Sequence, residues 1–377
     1  MVIGQFCDTY PPQVDGVGRV TYSYCETLTR MGHEAYYIAP KSPGVPAQPF
    51  PVVLSASMAF PGELFRVGLP ALDSQYRRAL DDIPFDIVHA HDPFIAASEA
   101  RRVAKKRDIP LVSTFHSKYY EDLLAKTHSE TISKMLLKRI VHVYEECDAV
   151  WTVNNATANV LREYGYLGDI LVMENGTNPE TIQAEAEARI LRRAQLRPGA
   201  LVLFFVGQHN WKKNLHGVLG ACALLRDAGV DFQLVTAGDG PDFDAIVTEA
   251  VRLGIADRVT FLRWITDRAE LMAMYAHADL FLFPSLYDTF GLVVREAAVM
   301  GTPSVLVAGS CAAEGIIDGY NGFIAPAEDA GSIARTIQRA IPTRRDVGRM
   351  AQKTLPLTWD SIMLKVIREY QKLIDGV

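Results

Sequence analysis

The chain has 377 residues, of which 49% are hydrophobic and 22% are charged. These fractions are typical of a globular protein, and the length predicts two domains rather than one core. The net charge of −6 argues against nucleic acid as a partner. No apolar run reaches the roughly 18 residues that a membrane-spanning helix needs, and we expect no secretory signal at the N-terminus. The five cysteines form no CxxC motif, which excludes a disulfide scaffold and a zinc module.

Two series of short apolar segments alternate with helical patterns along the chain. The first series lies at residues 2–6, 35–39, 86–90, 110–114, 149–153 and 170–173. The second lies at residues 201–206, 232–237, 259–262, 279–283 and 303–307. Continuous apolar strands are what parallel sheets covered by helices on both faces require. The pattern therefore predicts the α/β class, with two doubly wound Rossmann-like domains that face a central cleft.

A polar helical segment at residues 181–196 separates the two series. We therefore predict an N-terminal domain at residues 1–185 and a C-terminal domain at residues 186–357. The last segment, residues 358–377, has one apolar face and is predicted to form a helix.

Glycine-containing turns follow several of the predicted strands. The first loop carries Asp15 and Gly16, where backbone N–H groups and a helix dipole can face an anion. A dinucleotide fingerprint would need glycine at position 21, and Thr21 stands there, which argues against a nicotinamide-dependent oxidoreductase. Similar turns lie at residues 207–213 and 238–240. A lysine at such a turn suits a phosphate, and a solvated basic turn without a ligand is the alternative.

The most informative segment carries Asp288 in a short loop after an apolar strand. A helix is predicted to begin near Gly291, and the N–H groups of its first turn would point into the cleft. Glu296 lies about a turn and a half into that helix and can accept hydrogen bonds from two adjacent hydroxyls, as a ribose presents. Asp288 can accept from hydroxyls of a second ring. The alternative is an ordinary helix start with incidental acids.

In their order and spacing, these segments resemble the retaining GT-B glycosyltransferases of glycosyltransferase family 4. The resemblance covers nearly the whole chain, although each motif alone is weak. The motifs are His-x-His-x-Pro-Phe at 89–94, Ser-Thr-Phe-His at 113–116, Glu-Asn-Gly at 174–176, Lys-Asn at 213–214, Gly-Asp-Gly-Pro at 238–241, the two acids Asp288 and Glu296, and Trp-Asp at 359–360. In this family the last helix crosses back to the N-terminal domain.

The resemblance implies a reaction and a division of labour between the domains. It implies transfer of a hexose, with retention, from a nucleotide diphosphate sugar to a hydroxyl of a sugar, glycan or lipid, and UDP-glucose is our first choice of donor. The N-terminal domain would bind the acceptor and the C-terminal domain the donor. No cofactor and no essential metal ion are expected. A non-catalytic sugar-nucleotide-binding module, a GT-B-like epimerase and a phosphorylase with a pyridoxal lysine remain the alternatives.

The resemblance also implies roles for individual residues. Those implied in catalysis are His116, Lys213, Asp288 and Glu296. Those implied in donor binding are Gly16, Gln208, Lys212, Lys213, Gly238, Gly240, Arg263, Ile265, Asp288, Phe290, Gly291, Leu292 and Glu296. Those expected on the acceptor side are Asp15, His91, His116 and Tyr119.

Three positions depart from the family pattern. Gln208 stands where an arginine is usual, so the donor site lacks one positive charge unless Lys212 supplies it. Asp288 replaces a glutamate and places its carboxylate one methylene closer to the backbone. Arg263 stands where glycine is common, near the expected base pocket.

His89 and His91 alternate along one strand and therefore share a face. A third ligand at suitable spacing is missing from the sequence, so we predict no metal site there.

Basic residues in the N-terminal half are the candidate contact with an anionic lipid. They form a run at residues 101–107 and a second group at Lys134, Lys138 and Arg139. The segment 119–122 also resembles bacterial diacylglycerol glucosyltransferases. Solvated surface charge is the alternative. We expect a cytoplasmic protein, and peripheral contact with the inner face of the membrane is compatible with that expectation.

Overall fold

The computed structural model describes residues 1–10, 16–44, 47–59 and 66–376. The chain forms two compact units. Unit 1 comprises Met1–Gly176 and Trp359–Val377, and unit 2 comprises Thr177–Thr358. The boundary that we predicted between residues 185 and 186 falls inside a helix, Ala184–Ala194, that belongs wholly to unit 2.

Unit 1 is built on a sheet of seven parallel strands in the order β3-β2-β1-β6-β7-β8-β9, with a separate antiparallel pair β4-β5. The strands are β1 (Val2–Phe6), β2 (Glu34–Pro40), β3 (Val52–Ser55), β4 (Ser57–Ala59), β5 (Arg66–Gly68), β6 (Ile87–Ala90), β7 (Leu111–Phe115), β8 (Ala149–Thr152) and β9 (Leu171–Val172). The helices are α1 (Gly16–Arg30), α2 (Ser74–Asp82), α3 (Ile95–Arg107), α4 (Tyr120–Thr127), α5 (Glu130–Glu145), α6 (Asn155–Glu163) and the last helix of the chain, α14 (Trp359–Asp375).

Unit 2 repeats the arrangement with six parallel strands in the order β12-β11-β10-β13-β14-β15. The strands are β10 (Leu201–Val206), β11 (Phe232–Ala237), β12 (Val259–Phe261), β13 (Leu280–Leu282), β14 (Ser304–Val307) and β15 (Phe323–Ala325). The helices are α7 (Ala184–Ala194), α8 (Leu215–Asp227), α9 (Phe243–Arg252), α10 (Arg268–His277), α11 (Leu292–Val299), α12 (Ala330–Ala340) and α13 (Arg344–Thr354).

Side chains of β10 show why these strands are apolar throughout. Leu203 and Phe205 pack into one core cluster of unit 2, whereas Val202 and Phe204 pack into another. Successive side chains of a strand point to opposite faces, so a strand covered on both faces needs apolar residues at every position. Burial of each such side chain stabilises the unit by about 1.5–3 kcal/mol.

The strand order reverses beside the first strand of each sheet. In unit 1, β1 pairs with β2 on one side and β6 on the other, and in unit 2, β10 pairs with β11 and β13. In doubly wound sheets, ligands bind at the carboxyl ends of the strands near such a reversal. A ligand site is therefore expected in the loops after β1, β6, β7, β10, β11 and β13.

Among the described residues, no helix has both the length and the apolar character to cross a bilayer.

Candidate active site

A lysine and an aspartate meet at the carboxyl edge of the unit 2 sheet. Lys213 ends a short 3-10 turn after β10, and Asp288 lies in the loop after β13. Lys213 Nζ is 2.6 Å from Asp288 Oδ1, and the two side chains are only 14% and 21% exposed. The second oxygen, Asp288 Oδ2, is buried and has no hydrogen-bond partner among the described residues. The pair thus presents a cation beside a carboxylate that can still accept a hydrogen bond.

Tyr287 brings a second cation to the same place. The ammonium groups of Lys212 and Lys213 lie 5.3 and 5.2 Å from the centroid of its ring, within the range of a cation–π interaction. Tyr287 was not among the residues predicted for the site, although an aromatic residue directly before Asp288 was a usable signal. Gln208, from the same loop as the two lysines, is exposed.

The carboxylate of Glu296 is held by residues of α10. Glu296 is buried, and its Oε1 accepts a hydrogen bond of 2.8 Å from Arg268 Nη1. The hydroxyl of Tyr275 donates to Oε2 at 3.4 Å. Arg268 also binds Glu180 through its Nε, so one guanidinium bridges two carboxylates. Arg268 could not be predicted from the sequence, because it is 28 residues from Glu296 and belongs to no recognisable motif.

Gly291 shapes the start of α11, where Phe290 and Leu292 flank it. Its φ of +66° is in the left-handed region, and a Cβ there would lie 2.8 Å from the Cβ of Ala312. Only glycine fits this turn. The first N–H groups of a helix have no partner within the helix, and they carry the positive end of its dipole. The ring of Phe290 is buried against the guanidinium of Arg295.

Gly238 and Gly240 have a packing role in the turn after β11. A Cβ on Gly238 would lie 2.0 Å from the carbonyl oxygen of Gly207, and one on Gly240 would lie 2.6 Å from that of His209. The two glycines therefore let this turn pack against the turn after β10. His209 is buried and bonded to Thr236, and burial lowers its pKa to about 4.

Arg263 lies beside that turn in an unusual backbone conformation. Its φ is +51°, and its guanidinium lies 3.8 Å from the centroid of the Phe243 ring. Its Nη1 donates to Asp239 Oδ2 at 2.8 Å. Burial alone would raise the pKa of Asp239, but hydrogen bonds from the Gly240 N–H and from Arg263 lower it below the usual value. Ile265 is half-buried against the core of unit 2.

Asp15 and Tyr119, predicted on the acceptor side, and Gly16, predicted to bind the donor, all fall in the sequence range of unit 1. Asp15 lies outside the described residues, and Gly16 is the exposed first residue of α1. Tyr119 is buried, in edge-on contact with the rings of Phe94 and Phe115. We therefore place Tyr119 in the core of unit 1, and its burial raises its pKa well above the usual value.

His91 and His116 follow the carboxyl ends of β6 and β7 and belong to one hydrogen-bonded network. His91 Nδ1 is 3.1 Å from His116 Nε2, and His91 Nε2 is 2.7 Å from Gln5 Oε1. His91 has no exposed surface, whereas we expected it on the acceptor side. The difference arises because the neighbouring parallel strands β6 and β7 bring these two side chains together in the interior of unit 1. Burial lowers the pKa of His116 to about 3.

His89 extends this network to the last helix. Its Nδ1 is 2.6 Å from the hydroxyl of Tyr370, and its Nε2 is 2.7 Å from Thr114 Oγ1. As predicted, His89 and His91 share a face, and their rings stack at 4.2 Å. Within the described parts of the chain, no group of three His, Cys, Asp or Glu side chains is placed to hold a metal ion.

Most of the basic run at residues 101–107 is neutralised within unit 1. Arg101 binds Glu146, Arg102 binds both Asp81 and Glu99, and Lys106 binds Asp81. This run therefore offers little charge to an external anion.

Helix α5 exposes both basic and apolar side chains. Lys138 and Arg139 are exposed, and so are the apolar side chains of Ile132 and Met135, which are 45% and 52% exposed.

Comparison with known proteins gives consistent matches over both units. A family model described as "Glycosyltransferase Family 4" matches residues 14–181, and one described as "Glycosyl transferases group 1" matches residues 187–354. The chain is 29% identical to a glycogen synthase of Mycobacterium tuberculosis over 76% of its length and 68% of that protein. It is 24% identical to a phosphatidyl-myo-inositol mannosyltransferase of Mycobacterium leprae over 98% of its length and 96% of that protein.

The fold is also that of solved structures. The Anabaena protein HepE in complex with UDP-glucose superposes with a TM-score of 0.77, at 18% identity, over 99% of this chain and all of that chain.

Proposed function

Since the chain belongs to glycosyltransferase family 4 and has the GT-B fold, we propose that it is a retaining hexosyltransferase that uses a nucleotide diphosphate sugar. The observation that carries the proposal is the pair formed by Lys213 and Asp288, because it sets a cation for the diphosphate beside a carboxylate oxygen for a sugar hydroxyl. In this proposal unit 2 binds the donor and unit 1 binds the acceptor.

The leaving diphosphate needs positive charge as its bond to the sugar breaks. Lys213 and the first turn of α11 at Gly291 supply it, and Lys212 adds a second ammonium near the ring of Tyr287. Preorganised donors of this kind contribute about a hundredfold or more each to the rate. These groups take the part that a divalent cation plays in metal-dependent transferases, and no cofactor is required.

The sugar and the ribose are held by the two acids. Asp288 Oδ2 accepts from a hydroxyl of the transferred hexose, and Glu296, oriented by Arg268, accepts from the ribose hydroxyls. In the transfer step the bond between the anomeric carbon and the diphosphate oxygen breaks, and the acceptor oxygen bonds to the same face of that carbon. The proton of the acceptor hydroxyl passes to an oxygen of the leaving diphosphate, so charge and atoms balance without an enzyme nucleophile.

UDP-glucose is the first donor to test, because HepE, which shares the fold, was solved with UDP-glucose bound. The assay measures nucleotide release and product formation from UDP-glucose, ADP-glucose and GDP-mannose, with and without acceptors. We expect release that depends on an acceptor and is abolished in Glu296→Ala. The anomeric coupling constant of the product then reports retention.

Two of the alternatives have their own outcome in that assay. A changed sugar nucleotide without any acceptor indicates an epimerase, and binding without turnover indicates a non-catalytic module. Failure to bind any nucleotide sugar contradicts the proposed function.

We further propose that the acceptor hydroxyl belongs to an anionic lipid or a lipid-linked glycan, reached from the cytoplasmic face. The exposed surface of α5 supports this, because apolar Ile132 and Met135 lie among the basic Lys138 and Arg139. The name of the Mycobacterium leprae relative also describes transfer to a phosphatidylinositol. Co-sedimentation with anionic liposomes at low salt tests the surface, with Lys138→Glu/Arg139→Glu as the variant and neutral liposomes as the control. Equal recovery of both proteins with anionic liposomes contradicts the lipid assignment.

A further inference from the structure

One guanidinium of unit 2 is shared by two acids. Arg268, the first residue of α10, donates through Nε to Glu180 and through Nη1 to Glu296 Oε1, the second bond being 2.8 Å long. Glu180 lies in the segment that precedes α7, where the chain has no regular secondary structure, and Glu296 lies on α11. The arginine therefore joins an acid that has no assigned role to the acid proposed for the ribose.

Glu296 depends on α10 for its hydrogen bonds. Its side chain is 7% exposed, and a buried carboxylate needs hydrogen bonds to remain charged. Arg268 and Tyr275 are seven residues apart, nearly two helical turns, so both lie on one face of α10. The Tyr275 hydroxyl donates to Glu296 Oε2 at 3.4 Å. Helix α10 thus contributes one donor to each oxygen of the carboxylate.

Arg268 divides its N–H donors between the two acids. A guanidinium presents its N–H groups as a planar fork that matches both oxygens of one carboxylate, and pairing through two bonds is the strong arrangement for it. Arg268 does not pair with Glu296 in this way, because its Nε donates to Glu180 and its Nη1 to a single oxygen of Glu296. Glu180 thereby keeps the guanidinium from turning its fork onto Glu296.

This division matters for a ribose, which presents two adjacent hydroxyls. A carboxylate accepts from both hydroxyls when its two oxygens face them. A two-bond pair with Arg268 would engage Oε2 as well as Oε1, so the guanidinium would compete with the ribose. The bond that the structure shows confines the arginine to Oε1.

We infer that Glu180 is a positioning residue for nucleotide recognition: by holding Arg268 Nε, it confines the arginine to one oxygen of Glu296 and keeps that carboxylate able to accept from both hydroxyls of a ribose. The preferred ligand is then a ribonucleotide rather than a 2′-deoxyribonucleotide. The statement about the ribose rests on the proposed function, whereas the coupling of the two acids through Arg268 is a property of unit 2 itself.

Charge alone predicts the opposite effect of removing Glu180. The loss of a negative charge near a site for an anionic diphosphate would tighten nucleotide binding or leave it unchanged. The positioning role predicts weaker binding, because Arg268 then pairs with both oxygens of Glu296. The direction of the change in affinity therefore separates the two explanations.

The first test is isothermal titration of the full-length protein with UDP, ADP and GDP, followed by the 2′-deoxy form of the nucleotide that binds best. The wild-type protein should bind the ribose form about 30-fold more tightly, because one hydrogen bond to a charged group distinguishes the two ligands. Glu180→Ala should weaken binding of the ribose form and lower this ratio at least about fivefold. A ratio near one in the wild-type protein, or an unchanged ratio in Glu180→Ala, overturns the inference.

Two further variants are the controls. Glu180→Gln keeps an oxygen that can accept from Arg268 Nε, so its ratio should stay close to that of the wild-type protein. A fall as large as that in Glu180→Ala assigns the effect to charge and contradicts the positioning role. Glu187→Ala removes an acid at the other end of α10, where Glu187 is 2.6 Å from His277. It should leave the ratio unchanged, and an equal fall there would sink the inference.

A double-mutant cycle tests the coupling without a nucleotide. Urea unfolding measures the loss of stability caused by Glu296→Gln in the wild-type protein and in Glu180→Ala. The loss should be larger in Glu180→Ala, because Arg268 pairs there with both oxygens of Glu296. Equal losses overturn the inference. If none of the nucleotides binds, the proposed function fails, and this cycle still decides whether Glu180 acts on Glu296.

Discussion

Replacement of Glu296 by glutamine separates nucleotide binding from stability. The substitution keeps the shape of the side chain and removes its charge. The oxygen of the amide can remain 2.8 Å from Arg268 Nη1, which leaves the NH2 group where the second carboxylate oxygen stood. An NH2 group donates and cannot accept from a ribose hydroxyl. Glu296→Gln therefore removes one charge-assisted acceptor from the proposed nucleotide site.

The size of the effect follows from the bonds involved. A hydrogen bond to a charged group contributes about 1.5–3 kcal/mol, and a loss of about 2 kcal/mol weakens nucleotide binding about 30-fold. For stability we expect a smaller loss, about 1 kcal/mol, because Arg268 is 33% exposed and keeps its bond to Glu180.

Glu270→Gln is the control for this experiment. Glu270 is also buried in unit 2 and also binds arginines, Arg189 and Arg193, but we assign it no ligand. Isothermal titration with UDP and thermal unfolding should be measured on both variants. We expect both proteins to lose a similar amount of stability and only Glu296→Gln to lose affinity. Equal UDP affinity in the two variants would refute the assignment of Glu296 to the ribose.

Three further predictions address the charges of the two units. Lys213→Ala should lower kcat/KM at least about a hundredfold. Lys353→Ala, at an exposed position of α13, should leave kcat/KM unchanged and is the control. Equal kcat/KM values for the two variants in steady-state kinetics would show that Lys213 takes no part in the reaction. Lys212→Ala should weaken UDP binding about fivefold and Gln208→Arg should restore it in the double variant, with a steeper salt dependence; a double variant no better than Lys212→Ala contradicts the idea that Lys212 supplies the missing charge. Because burial lowers the pKa of His116 to about 3, the unfolded chain binds a proton there that the native protein does not. The free energy of unfolding should therefore not depend on this group above about pH 6.5. Below that pH it should decrease by up to about 1.4 kcal/mol for each pH unit. Urea unfolding at pH 7 and pH 5.5 measures the decrease, which should be smaller in His116→Gln than in the wild-type protein.

The parallel sheets could be predicted from the sequence because their strands are apolar at every position. β1, β10 and β11 have the predicted bounds. The strand β3 was missed because its apolar run, Val52–Leu54, is only three residues long, and these residues are half-buried. β15 was missed because it has only three residues, Phe323–Ala325, directly after a turn.

The candidate site could be predicted only where its residues belong to ordered local motifs. Lys213 and Asp288 each lie in the loop that follows an apolar strand, so their sheet edge could be predicted, but their 2.6 Å contact joins residues 75 apart. The contact of Gln5 with Tyr370 joins residues 365 apart. No periodicity or spacing indicates such pairs, because they depend on which strands become neighbours and on where the last helix packs.

The charges of the proposed donor site depend on one short turn, because position 208 of the same loop carries a neutral glutamine. Lys212 and Lys213 are consecutive, and Asn214 directly after them has a φ of +58°. Its amide nitrogen donates to the carbonyls of Pro284 and Glu328, and its oxygen accepts from Gly217 at the start of α8. Asn214 thereby fixes the lysine turn to the segment that leads into the Asp288 loop. Gln208 contributes no charge, so the positive charge of this sheet edge comes from the lysine turn. The Asn214 side chain therefore determines where that charge lies relative to the Asp288 carboxylate.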